Sequence, residues 1–402
     1  MQPLDSAPAP AGDKHAWLIP PGVTYLNHGS FGTPPRAVFE ARQQFLLELA
    51  ENPMDFLVRS LPERLQQATQ ELARFVNAPA DGIVPVSNAT TAMNVVAGCV
   101  TLKPGDEVLL TDHEYGAVIR IWGKACAQAG ARTVTAKLPF PLTSPRELVD
   151  ALFAQVTERT RLLVVSHVTS PTACILPVQQ ICERARERGV PVCIDGPHAP
   201  AMVPIDLRAL KCDFYTASCH KWLSAPIGTG FLYAGSQHRS RLKPLVWSWG
   251  RNLNGQPPHW KDEFLWPGTF DPTGYLCVPV ALEFFRRYGW KRFQDETHAL
   301  AQWARSRLME DCGLQPLTPD DPQWYGSMVA LELPGDPPGD PAQVHPLQVW
   351  LAREHQIEVP VVRWRERTLL RVSAHLYNTR EQMEQLTRAV QKWRSAQHSS
   401  PC

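Results

Sequence analysis

The stretch Val192–Tyr233 constrains the fold of this chain more than any other. It reads V-C-I-D-G-P-H-A-P and, after a short connection, D-F-Y-T-A-S-C-H-K-W-L-S-A-P-I-G-T-G-F-L-Y. Two short apolar runs, Val192–Ile194 and Phe214–Ala217, have the composition of neighbouring strands in a buried parallel sheet. Each run stops on polar side chains. The first ends at Asp195, with His198 three residues on; the second ends at Ser218, His220 and Lys221, before a Gly/Pro-rich turn. Open α/β sheets bind ligands at the carboxyl ends of their strands. An acid from one strand end and a lysine from the next are therefore expected to face one pocket.

The rest of the chain supplies the sheet. Strands are expected at Ile83–Val86, Asp106–Thr111, Arg132–Leu138 and Arg161–Val168. A helix opens at Asn88, another starts at a Ser144/Glu147 capping box and runs to about Val156, and a third covers Val178–Arg188. This alternation implies right-handed crossovers and a largely parallel sheet. Upstream, amphipathic helices are expected near Arg36–Ala50 and Pro62–Val76, with Asn52–Arg59 as a loop between them. Downstream, one long helix over about Pro279–Met309 should lead to a smaller α/β unit. That unit has strands at Ser327–Leu333, Ile357–Val362 and Leu369–Ser373 and helices at Pro346–Glu354 and Glu381–Arg394. The expected division is a flexible arm (1–15), a large domain (16–278) and a linking helix with a small C-terminal domain (279–402).

Composition narrows the function classes. A chain of 402 residues has room for one large and one smaller domain. Its formal charge of +1 gives no indication of a nucleic-acid or anionic-membrane surface. No apolar run approaches the ~20 residues of a membrane helix, and the first residues lack the apolar core of a secretory signal. The 10 cysteines are scattered without C-x-x-C or zinc-like spacing, so no metal site is expected and the cytoplasm is the natural compartment. The 38 prolines are dispersed, which argues for rigid loops.

An acid and a lysine at one sheet edge suit pyridoxal phosphate (PLP), which needs a lysine for a Schiff base and an acid against its pyridine nitrogen. Taken together, D-G-P-H and S-C-H-K-W resemble the class V aminotransferase family of fold-type I PLP enzymes. That family includes cysteine desulfurases, C–S lyases and isopenicillin N epimerase. The resemblance implies that Asp195 pairs with the pyridine nitrogen and that His198 reaches the 3-oxygen. It also implies that Ser218 and His220 contact the phosphate, Lys221 carries the cofactor and Trp222 packs beside it. S-N-A-T-T-A, at the start of a helix whose free N–H groups favour anions, resembles the family's phosphate turn, with Ala89 and Thr90 in the binding positions. Tyr115 is placed to stack on the ring, with His113 as runner-up. The loop with Thr169 and Ser170 lies over the ring. Gly268 and Thr269 match a Gly-Thr that reaches the partner's phosphate in a homodimer.

L-R-V-S-A-H-L-Y-N (Leu370–Asn378) resembles the family's carboxylate-binding motif, in which Arg371 forks two N–H groups onto an α-carboxylate. The tight loop T-Y-L-N-H-G-S-F-G-T-P-P (24–35) enters the active site in that family, so Asn27, His28, Ser30 and Phe31 become substrate contacts. Arg59 either joins them or lies on the surface. His375, Tyr377 and Asn378 fit isopenicillin N epimerase-like sequences. Gln356–Thr368, where desulfurases of the family carry a nucleophilic cysteine, has none. The leading expectation is therefore inversion at the α-carbon of an amino-acid substrate. A C–S β-lyase and an aminotransferase are the alternatives. Lys221 would serve one face, and Tyr377, His375 or His28 the other. A non-catalytic scaffold of the same fold is disfavoured, because Asp195, His198, Lys221 and Arg371 are all present.

Overall fold

Seven short strands build the main sheet: β1 (Ile83–Val86), β2 (Glu107–Thr111), β3 (Arg132–Ala136), β4 (Thr160–Ser166), β5 (Val192–Asp195), β6 (Phe214–Ser218) and β7 (Gly230–Ala234). The computed structural model describes residues 14–250, 259–335 and 343–398. The spatial order is β1-β7-β6-β5-β4-β2-β3. All neighbours pair in parallel except β7, which runs against both β6 and β1. Successive residues of the central strands feed opposite cores, as the two-residue strand period requires. Leu163, Val165 and Ile194 pack on one face, and Leu162, Val164 and Cys193 on the other. Both faces are buried, so these runs read as continuously apolar. The register sets Asp195 opposite Ser166 on one side and Thr216 on the other.

A second, antiparallel sheet contains β8 (Gln315–Pro316), β9 (Met328–Glu332), β10 (Val361–Trp364) and β11 (Arg367–Ser373), in the order β10-β11-β9-β8. The two-residue strand Thr24–Tyr25 pairs in parallel with Ile357–Glu358. Ser373 N–H donates to the carbonyl of Leu26 (2.9 Å), and Gly29 N–H donates to Ser373 Oγ (3.1 Å). The loop over 24–35 is thus stitched to the end of β11.

Two expectations are corrected. Asn52–Arg59 is not a loop: Asp55–Ser60 forms a π-helical turn running directly into the Leu61–Phe75 helix. Burial of Phe56, and Asn52 Oδ1 accepting from Asp55 N–H (3.1 Å), hold it. The long helix is two helices, Val278–Tyr288 and Trp290–Cys312. They break at Gly289, whose φ of 98° lies where glycine is favoured. Of the expected N-terminal arm, residues 1–13 lie outside the described residues. No described helix is long and apolar enough to cross a membrane.

Candidate active site

The carboxyl ends of β5 and β6 open into a cavity of about 300 Å³. Asp195, His198, Ser218, His220 and Lys221 all line it. So do Ala89 and Thr90 after β1, Tyr115 after β2, Ser170 after β4, Ser30 and Phe31 from the N-terminal loop, and Arg371 from β11. Residues far apart in the chain meet here because parallel strands bring all their carboxyl ends to one edge.

At one end of the cavity the Ala89–Cys99 helix begins. Asn88 caps it, its Oδ1 accepting from Thr91 N–H (2.8 Å). Ala89 N–H donates to Ser218 Oγ (3.1 Å), which joins this helix start to the end of β6. His220 leans on the Thr229 carbonyl through Nδ1 (3.3 Å). Backbone N–H groups at a helix start, a hydroxyl and an imidazole make a donor set suited to a phosphate.

Deeper in, Asp195 accepts a hydrogen bond from Thr216 Oγ1 (2.7 Å). Burial pushes its carboxyl up to about 6, opposed by the Thr216 bond and the Lys221 charge. Lys221 is moved the other way, down to about 7, first by burial and then by Arg371, against the pull of Asp195. Its Nζ lies 3.1 Å from His198 Nε2. Close packing of the N-terminal loop holds the lysine turn. A Cβ on Gly32 would come within 2.3 Å of the His220 carbonyl and 2.6 Å of the Lys221 carbonyl, so a side chain there would displace backbone.

Arg371 forms the opposite wall. Its Nη1 donates to the Ser170 carbonyl (2.6 Å) and Oγ (3.2 Å), and its Nη2 to Ser30 Oγ (2.6 Å). Nε is buried without a partner. Burial lowers the guanidinium to about 10, which leaves it cationic at neutral pH.

Other expected site residues lie elsewhere. His28, expected as a substrate contact, and Tyr377, expected at the second face, are not among the residues lining this cavity. With His375 they form a buried cluster behind the lysine turn. His28 Nδ1 bonds Tyr377 Oη (2.9 Å), its Nε2 lies 3.0 Å from the Lys221 carbonyl and 3.2 Å from Ser224 Oγ, and its ring stacks on His375 at 3.9 Å. Burial holds His28 down at about 3 and raises the Tyr377 phenol. Asn27 is half-buried and also off the cavity wall; its Oδ1 is buried without a partner. His113, the alternative to Tyr115, is buried against Trp364 and bonded to Thr172 Oγ1 (2.8 Å). Thr169 closes its own turn, accepting from Cys174 N–H (2.8 Å). Arg59 pairs with Asp55 (2.6 Å) on the surface, and Asn378 accepts from His375 N–H and donates to the Tyr25 carbonyl. Thr269 is exposed and away from this chain's cavity.

Sequence reasoning missed Thr216 and Glu114. Thr216 is found from the Asp195↔Thr216 register, which no linear motif encodes. Glu114 is fully buried and accepts from Thr111 Oγ1 (2.6 Å), Ser166 Oγ (2.6 Å) and Ser166 N–H (3.1 Å). Burial raises its carboxyl to about 7.

A buried acid and a lysine at one sheet edge, beside a donor set suited to a phosphate, fit a pyridoxal-phosphate site on an α/β fold. This chain belongs to the class V aminotransferase family, whose model matches residues 24–386, and it is a PLP-dependent enzyme. It is 39% identical to an isopenicillin N epimerase of Amycolatopsis lactamdurans, over 96% of this chain and 99% of that one. It is 36% identical to that of Streptomyces clavuligerus, over 93% and 95%. An L-cysteine desulfhydrase of Arabidopsis thaliana is 28% identical over 92% and 87%. Among solved structures, a C-DES mutant with glycine covalently linked to the PLP cofactor superposes with a TM-score of 0.82 at 23% identity, covering 94% of this chain and 99% of that one. The residues here fit the cofactor. Asp195 is a buried acid, burial lowers the Lys221 amine to about 7, and Arg371 Nε is buried without a partner.

Proposed function

We propose that this enzyme inverts the α-carbon of an amino-acid moiety, in the manner of the isopenicillin N epimerases it resembles. The observation that carries this reading is similarity to two such epimerases along nearly the whole chain. It is supported by the lack of a thiol where persulfide chemistry needs one. None of the described cysteines lines the cavity, and none occurs between residues 356 and 368.

When bound, pyridoxal phosphate supplies an electron sink that acidifies the α-proton. The protein does the rest. Asp195 would keep the ring nitrogen protonated. Ser218, held by the Ala89 N–H, together with His220 and the Thr90 N–H, would hold the phosphate. Arg371 orients the substrate carboxylate, with Ser30 and Ser170 holding the guanidinium in place. Lys221 moves the proton at one face, as its lowered affinity for a proton permits. The ring of Tyr115, on the cavity wall, would pack against the cofactor. Tyr115 lines the cavity and His28, His375 and Tyr377 do not, so its phenol is the candidate proton carrier for the second face.

Residues 16–278 would form the cofactor-binding domain, and 279–402 the smaller domain that supplies Arg371. The working enzyme is a homodimer in which Gly268 and Thr269 reach the second copy's phosphate. Supporting this, their neighbours Pro267 and Phe270 share an apolar groove with the exposed Leu245 and Val246. A cytoplasmic setting suits the nine described free thiols.

The test is a panel of amino-acid substrates followed by proton NMR in deuterated water. Deuterium at the α-carbon, with both configurations accumulating, is expected. Release of sulfide and a keto acid without inversion would replace this reading with a C–S lyase, the outcome the desulfhydrase relative favours.

A further inference from the structure

Trp222, the residue after the lysine, is fully buried. Its Nε1 donates to His198 Nδ1 at 3.3 Å, while His198 Nε2 lies 3.1 Å from Lys221 Nζ. An indole N–H donates and never accepts. Nδ1 must therefore offer its lone pair, and a neutral imidazole then carries its proton on Nε2. His198 is fully buried, and burial together with the Lys221 and Arg371 charges keeps it neutral. The other tautomer would set N–H against N–H across the same gap.

We propose that Trp222 is a positioning residue that locks His198 in its Nε2–H tautomer, so that the imidazole donates into the cavity. Two consequences follow from which atom carries the proton. Toward Lys221, an Nε2–H needs a lone pair, so it favours the neutral amine over the ammonium. Toward the cofactor, the same N–H is aimed to donate to the ring oxygen. This second consequence rests on the cofactor reading above; the tautomer itself does not. The charged and titratable groups around Lys221 are Asp195, Arg371, His198 and His220. Of these, only His198 is bonded to Trp222. The nearby His28 ring is engaged with Tyr377 and the Lys221 carbonyl.

The test compares Trp222→Phe with the parent enzyme, both loaded with pyridoxal phosphate, through the pH midpoint of the visible band. A donor on the ring oxygen draws off charge that stabilises the neighbouring protonated nitrogen. Losing it should raise the midpoint by about half to one pH unit, the size of one neutral hydrogen bond. In a His198→Leu background the same substitution should produce no further shift. An equal shift in both backgrounds, or none in either, would reduce Trp222 to a space-filling role and overturn the proposal. If Trp222→Phe does not fold, ¹⁵N-histidine NMR of the parent enzyme decides. The His198 resonance, assigned by its loss in His198→Leu, should show Nδ1 unprotonated; a protonated Nδ1 overturns the proposal. Failure of the parent to gain a visible band would defeat the cofactor reading, while the NMR result would still decide the tautomer.

Discussion

Arg371 is a buried cation whose hydrogen-bond partners are all neutral, and its Nε–H is left unpaired. A charge held this way is unfavourable until a counter-ion arrives, which is how a receptor for a carboxylate is built. Arg371→Lys keeps the charge but loses the fork. It should raise KM roughly 10–100-fold with a smaller effect on kcat. A fall in kcat at unchanged KM would mean that the guanidinium does not hold the bound substrate. Tyr115→Phe keeps the ring and removes the phenol. Exchange of the α-proton for deuterium should survive while inversion is lost, as chiral chromatography of the product would reveal; continued inversion would remove Tyr115 as second proton carrier.

Glu114 gives a pH prediction at the same scale. Its folded pKa of about 7 lies above the unfolded value of ~4.3, so the folded chain holds the extra proton between them. Stability should therefore fall as pH rises through that window and level off above it, by on the order of 3 kcal/mol. Glu114→Gln should flatten that part of the curve. Asp195, shifted the same way and facing Glu114, remains in both proteins, so the difference between their urea melts from pH 4 to 8 reports Glu114 together with its coupling to Asp195. Parallel curves would mean that Glu114 is ionised throughout.

Among the elements, the Ala89–Cys99 helix is the clearest case of local sequence setting a functional geometry. Asn88 caps it and Ser218 meets its first N–H, so the cap and the phosphate cradle are one structure. Asn88→Ala should cost about 1 kcal/mol in urea denaturation and weaken pyridoxal phosphate binding measured by fluorescence quenching. Unchanged binding with the stability loss intact would separate the cap from the cradle. This element was legible because a strand, a turn and a capping residue are contiguous. The break at Gly289 was not. A single glycine inside a helical pattern is commonly tolerated, and its φ of 98° is imposed by the packing of the two flanking helices. The turn at Asp55–Ser60 was likewise hidden, because Phe56 becomes a helix anchor once a core exists to receive it.

For the whole molecule, the groove shared by Leu245, Val246, Pro267 and Phe270 carries the dimer prediction. The parent enzyme should sediment at twice 45.0 kDa. Val246→Glu, which would bury a charge in the interface, should sediment as a monomer and lose its visible band on dilution. A monomeric parent that keeps its band would leave Thr269 without a role at the phosphate.

Chain order alone determined which side chains end the strands at one sheet edge. Asp195, Ser218 and Lys221 follow apolar runs, and parallel strands leave their ends no other place to go. The tertiary structure decided depth. His28, His375 and Tyr377 carry the right chemistry and sit close to Lys221 in space, yet the lysine turn stands between them and the cavity. Tyr115, Ser170 and Arg371 reach it from three separate segments. Which side of a turn a side chain occupies depends on packing between distant segments, and such contacts have no local signature in the order of residues.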